Sequence, residues 1–244
     1  MEQVSRDEHA TFGKIHYIPY HPVIRRDKQT NKVRIVYDAS AKRRGPSLND
    51  CLLTGPSLLP KIVDVSLRFR YHKIGLVADV EKAFHQVSIA QEDRDVLRFI
   101  WIDDILHDNP KLLVYLFTRV AFGVNASPFL LNATIDHHIR SYAEDPSFVD
   151  MFLSSLYVDD LNGGGDTREN AIELYSKSSQ RMSEGGFTLR KWKTNDPELQ
   201  KLIVDTEDCK VHTDGETKIT EDEITYAGAT IRCTNQSGSS SSTK

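Results

Sequence analysis

The chain has 244 residues, 39% hydrophobic and 27% charged, enough for one large core or two small ones, which excludes disorder along the whole length. Its apolar runs, such as residues 74–78 and 112–117, fall far short of the roughly 18 residues a spanning helix needs, and the charged residues 1–8 contain no apolar signal core, so neither a membrane nor secretion is expected. The net charge of -4 hides a split, because residues 1–75 carry 14 Lys and Arg against 7 Asp and Glu while residues 76–244 carry 17 against 28. A basic segment of this kind hints at nucleic acid and leaves the decision to the motifs. Cys51, Cys209 and Cys233 are odd in number and lack metal-ligand spacing, which fits a reducing compartment.

No repeat of 20–50 residues is present. Residues 21–26 and 32–37 are two β-rich runs around the polar stretch 27–31, which predicts a hairpin with basic flanks. Pro60 opens a short helix with Ile62, Val63 and Leu67 as its apolar positions. Residues 74–83 read as a strand buried on both faces, and residues 98–102 and 112–117 as an antiparallel pair. Ser127 as cap and Pro128 in the first turn start a helix over 129–143, which Asp145-Pro146 ends. A second hairpin is expected from 152–158, a turn at Asp159-Asp160 and a return to the glycines 163–165. A further helix then runs from Asp166–Glu169 to Gly185-Gly186. Antiparallel hairpins mixed with helices make the fold class α+β.

Two places carry chemistry. Asp79 is an isolated carboxylate in an apolar strand, where an unpaired charge is costly. Asp159 and Asp160 follow the apolar Leu156, Tyr157 and Val158, and neighbouring like charges repel unless a cation neutralises them. Nucleotidyl transfer by two divalent ions about 3.5–4 Å apart needs such carboxylates to converge, and hard oxygen ligands suit magnesium.

Together these residues resemble a family. Tyr157-Val158-Asp159-Asp160 is the YxDD signature of reverse transcriptases, and Asp79-Val80-Glu81-Lys82-Ala83-Phe84 resembles the family's first carboxylate motif. Ala121-Phe122-Gly123-Val124-Asn125-Ala126-Ser127-Pro128 resembles its Phe-Gly turn, and Gly186-Phe187-Thr188-Leu189-Arg190-Lys191-Trp192-Lys193 its lysine-bearing segment. The wording around Arg34–Ser40, Ser47–Asp50, Leu53–Pro56 and Arg190-Lys191-Trp192 is most similar to the BEL/Pao group of LTR retrotransposons.

The resemblance implies the fingers and palm of a right-hand polymerase, with 1–75 fingers-like, 76–195 mainly palm with finger insertions around 95–120, and 196–244 an acidic extension ending in a disordered Ser-rich tail. It implies an RNA-directed DNA polymerase that adds deoxynucleoside triphosphates to a primer on an RNA or DNA template. Asp79, Asp159, Asp160 and the Val80 carbonyl would bind Mg2+ or Mn2+. Arg34, with Arg25 or Arg26, would meet the triphosphate, as would the backbone N–H groups of Lys82 and Ala83. Phe84 would be the gate against a 2′-hydroxyl, and Phe122 and Gly123 the floor under the sugar and template base. Lys193, or alternatively Lys191, would protonate the leaving pyrophosphate.

Beyond residue 195 only Tyr226-Ala227-Gly228 resembles a primer grip, and no thumb is evident, so the chain reads as a fragment of a retroelement polyprotein. A second subunit or the remaining polyprotein domains would then complete it, in a cytoplasmic retroelement particle or the nucleus. The alternative is a catalytically impaired nucleic-acid-binding or interaction remnant.

Overall fold

The computed structural model describes residues 1–4, 15–25, 32–104, 106, 108–213, 223–226 and 229–232. The strands are β1 (Glu2–Gln3), β2 (Tyr20–Arg25), β3 (Lys32–Tyr37), β4 (Ile74–Val80), β5 (Arg98–Ile102), β6 (Leu112–Leu116), β7 (Leu156–Tyr157), β8 (Asp160–Gly165), β9 (Leu189–Thr194), β10 (Glu223–Tyr226) and β11 (Ala229–Arg232). The helices are α1 (Leu48–Cys51), α2 (Ile62–Tyr71), α3 (Ala83–Gln86), α4 (Ser127–Arg140), α5 (Pro146–Ser155), α6 (Arg168–Glu184) and α7 (Pro197–Thr213), with a 3-10 turn at Gln91–Leu97. The expected α+β class with antiparallel sheets is therefore the architecture of the molecule.

At its centre is a four-stranded antiparallel sheet in the order β7-β8-β4-β9. β4 alternates, with Leu76, Ala78 and Val80 buried and the residues between them half-buried, so only one face is closed by helices. That face packs on Leu131, Ile135 and Ile139 of α4, Phe152 of α5, and Leu174 and Met182 of α6. The fourfold spacing of the α4 residues makes one buried stripe, and each such side chain contributes about 1.5–3 kcal/mol by leaving water. Gly164 leaves room for the neighbouring strand, since a Cβ there would lie 2.3 Å from the Ile74 carbonyl oxygen.

A second apolar cluster contains Ile18, Ala39, Leu48, Leu97, Phe99, Phe117, Ala121 and Val124. It seats the base of the β2–β3 hairpin on the sheet β1-β6-β5 through aromatic rings. Tyr20 stacks on Trp101 at 5.6 Å, and Tyr37 meets Phe117 edge-on at 4.8 Å.

Four local expectations need correction. Residues 152–155 are helical: Asp145 caps α5 by accepting from Phe148 N, Pro146 presets its first turn, and Phe148, Val149 and Phe152 form its buried face. The strand before the carboxylate pair shrinks to Leu156–Tyr157. Ser127 does not cap α4, because its hydroxyl donates to the Ala121 carbonyl and Ala126 is the cap residue. In α2 the inward residue is Val65, whereas Ile62, Val63 and Leu67 are exposed, and the helix starts after Lys61. β4 ends at Val80, before Ala83, and buries one face.

α7 was not expected within the acidic stretch. Asp196 accepts from Leu199 N at its start, and Leu199 and Ile203 are fully buried on a helix that packs against β9 and α6. β10 and β11 pair antiparallel, while Ala227, Gly228 and the Ser-rich tail lie outside the described residues. No helix among the described residues is long and apolar enough to cross a membrane.

Candidate active site

The β4–β8 pairing brings the two acidic sequences together. Asp79 stands directly opposite Asp160 in the antiparallel register, so their Cα atoms are about 4.5–5.5 Å apart. Ala78 and Leu161, one step along, face the buried core, which puts both aspartates on the other, open face. The β7–β8 connection is a two-residue turn of Val158 and Asp159, with Tyr157 opposite Asp160. The turn is therefore one residue earlier than the expected Asp159-Asp160. Val158 has φ 56°, a left-handed conformation that is strained for a β-branched residue. The Asp159 carbonyl accepts from Val80 N at 2.8 Å, fixing the turn against the end of β4. Partial desolvation, then the charges of Asp159 and Asp79, raise the pKa of Asp160, and Lys191 opposes this.

β9 flanks β4 on its other side and contains a bulge. Val77 pairs with Lys193 but Asp79 pairs with Arg190, so β9 holds one extra residue there. Lys191 lies in that irregularity with φ 55°, and its Nζ donates to Asp79 Oδ2 at 3.1 Å. Arg190 donates through Nη1 to Glu81 Oε1 at 2.9 Å, and its Nε lies 3.5 Å from Asp79 Oδ2. Lys193 is exposed opposite Val77. Of the two lysines, Lys191 is the one that reaches a carboxylate.

Among the described residues, no three His, Cys, Asp or Glu side chains are gathered as a ready metal cluster, and Asp79 is turned to the two cations of β9 instead. The donor chemistry still fits a hard divalent ion. Three carboxylates share one end of one sheet, and their mutual repulsion is felt at Asp160.

After β4 the chain turns through Lys82, at φ 49°, into α3. Lys82 is exposed and Ala83 buried, and the Lys82 carbonyl accepts from His85 N. Phe84 is 8% exposed and meets Phe122, 55% exposed, edge-on at 4.8 Å between ring centroids. The second phenylalanine thus covers the first. Gly123 has φ +89°, and a Cβ on it would lie 2.5 Å from the Tyr37 carbonyl oxygen, so this turn needs glycine. Arg34 is exposed on β3 opposite Val23, with no ion pair among the described residues. Arg25 ends β2 and its side chain is outside the described residues, as is all of Arg26.

Sequence reasoning missed the lock under the Phe122-Gly123 turn. Asn49 of α1 donates to the Gly123 carbonyl at 3.0 Å and accepts from Asn125 N at 2.9 Å, while the Asn125 amide donates to the Asn49 carbonyl at 2.7 Å. Both asparagines lie in stretches already singled out, yet nothing local signals a contact across 76 positions. It also missed Glu81 as the partner of Arg190. A separate hollow of about 270 Å³ is lined by residues including His72, Phe148, Asn170 and Lys177 and touches Gly164 and Gly165, the end of β8 away from Asp160.

Comparison with known proteins bears on this arrangement. No curated protein matches the chain. The foamy viral protease-reverse transcriptase in complex with an RNA/DNA hybrid is similar with a TM-score of 0.54 and 17% identity, over 72% of this chain and 20% of that one. The native prototype foamy virus protease-reverse transcriptase gives 0.51 and 18%, over 72% and 20%. A foamy viral protease-reverse transcriptase in complex with double-stranded DNA gives 0.50 and 19%, over 73% and 26%. The likeness concerns the fold, and the chain spans only about a fifth to a quarter of the length of these proteins. The model of one family, reverse transcriptase (RNA-dependent DNA polymerase), matches residues 22–231, which is most of the chain and includes both carboxylate strands, and the chain belongs to that family.

Proposed function

We propose that this chain is the fingers-palm core of an RNA-directed DNA polymerase of BEL/Pao type, which joins a primer 3′-hydroxyl to a deoxynucleoside triphosphate and releases pyrophosphate. The observation that carries the reading is the pairing of Asp79 with Asp160, which gathers carboxylates from distant parts of the sequence beside Asp159. Asp79, Asp159, Asp160 and the Val80 carbonyl would hold Mg2+ or Mn2+, which when bound supplies activation of the attacking oxygen and neutralisation of the phosphates.

The remaining roles belong to the chain's own groups. Arg34, with Arg25 or Arg26, supplies cationic donors to the triphosphate, and the N–H groups of Lys82 and Ala83 add neutral ones. Phe84 lies under the deoxyribose, and Phe122 with Gly123 forms the floor for sugar and template base. Lys193, exposed on β9, gives a proton to the leaving pyrophosphate. The template, the rest of a retroelement polyprotein or a second subunit, and a particle or nuclear location complete the reading.

Primer extension on poly(rA)/oligo(dT) with magnesium or manganese tests it. Extension by the wild type and none by Asp159→Asn is expected. Failure of the wild type to add a single nucleotide, at primer-template concentrations that saturate binding, would instead favour a binding remnant.

A further inference from the structure

Lys191 combines two unusual features. It takes a left-handed backbone conformation, φ 55°, which is unfavourable for a non-glycine residue. That conformation lies in the β9 irregularity, and the ammonium contacts Asp79 at 3.1 Å. Structural neutralisation of Asp79 would not require this, since Arg190 already lies 3.5 Å from the same oxygen while holding Glu81. The lysine side chain is 63% exposed against 23% for Asp79, so it rests on the carboxylate from the solvent side and can leave without disturbing the core.

We infer that Lys191 is an exchangeable counter-ion, a resident cation that holds Asp79 in the metal-free protein and must leave the carboxylate when a divalent ion binds. The inference rests on the reading of Asp79 as a metal ligand. Asp79 Oδ2 now carries the ammonium, and a dication on the same oxygen would meet direct repulsion from it. Lys191 is thereby a positioning residue that sets how readily the metal loads, separate from any proton transfer.

The test measures Mn2+ binding to the full chain, without nucleotide or nucleic acid, from the loss of the free-ion electron paramagnetic resonance signal. Lys191→Gln should bind Mn2+ roughly three- to tenfold more tightly than wild type at low salt, as expected for removing an exposed ion pair and its repulsion of the ion. The gap should narrow as salt screens the charges. Lys191→Arg, which keeps the charge, should stay close to wild type. Equal or weaker binding by Lys191→Gln, no binding by either protein, or Lys191→Arg behaving like Lys191→Gln would each overturn the counter-ion role. Asp79→Asn in the Lys191→Gln background separates the two ideas. If it leaves Mn2+ affinity unchanged, Asp79 is no ligand and the underlying reading fails; if it weakens binding, that reading stands whatever the lysine does.

Discussion

The side-chain amide of Asn49 donates to the carbonyl of Gly123 at 3.0 Å, tying α1 to the turn that carries the exposed ring of Phe122. One asparagine thus joins the apolar cluster beneath the β2–β3 hairpin to the edge of the carboxylate site. Asn49→Ala removes this bond and leaves Asn125 N without its acceptor. The expected loss is about 2 kcal/mol of stability, read as a lower denaturant midpoint. A raised KM for deoxynucleotide should accompany it if the Phe122 turn is the nucleotide floor.

Gly123→Ala should be worse. The new methyl group would meet the Tyr37 carbonyl at 2.5 Å in a left-handed backbone, and neither the backbone oxygen nor the turn can yield cheaply. A loss of roughly 2–4 kcal/mol is expected from strain and displacement together. Thermal unfolding of the two proteins measures it, and a midpoint within a degree of wild type would refute the assignment of this contact.

Phe84→Val separates a gate from a core residue. If Phe84 excludes a 2′-hydroxyl, the variant should incorporate ribonucleotides at least tenfold better relative to deoxynucleotides. The ring is nearly buried and packs against Phe122, so about 1–2 kcal/mol of stability should also be lost. Loss of stability with unchanged discrimination in single-nucleotide incorporation would leave only the packing role.

Acid should find a weak point away from the site. The Asp145 carboxyl is held down to about 2, from an ordinary 3.8, first by its hydrogen bond with Lys177 and then by Phe148 N and Ser147. A carboxyl lowered in the folded state binds fewer protons than in the unfolded chain. Its stabilisation is therefore complete above the unfolded value and fades as pH falls from about 4 toward 2. Asp145→Asn should be less stable than wild type at pH 7 and should lose less on acidification across that window. Melting temperatures between pH 6 and 2 check the crossing pattern.

Much of this architecture is legible in the amino-acid order. The run from Ile74 to Val80, the β2–β3 and β5–β6 hairpins and the long α6 are written in local apolar patterns and turn residues. α5 was hidden because Phe152 and Leu153 continue into Leu156 and Tyr157, making helix end and strand one apolar run, although Asp145-Pro146 was available as a helix start. α7 was hidden by its charges, with Leu199 and Ile203 fully buried among its described side chains. Asp79, Asp159 and Asp160 stood out as acids in apolar surroundings. Their register, the Asn49 lock and the approach of Lys191 depend on pairings between remote segments that no local pattern encodes.

The irregularity in β9 also acts as a phase shifter. Leu189 and Trp192 are both buried, yet three positions separate them, and in a regular strand an odd interval sends side chains to opposite faces. The extra residue between the two pairing registers restores parity, so both remain on the side of Val80 and Ala78. This explains why Leu189-Arg190-Lys191-Trp192 lacks the twofold rhythm of a strand. Deleting Lys191 would leave Leu189 and Trp192 two positions apart in an unbroken ladder, so both would stay inside, with Trp192 against Tyr175, where the rings meet at 5.0 Å. The extra residue is therefore spare to the packing of this edge, and what it adds is the ammonium held against Asp79.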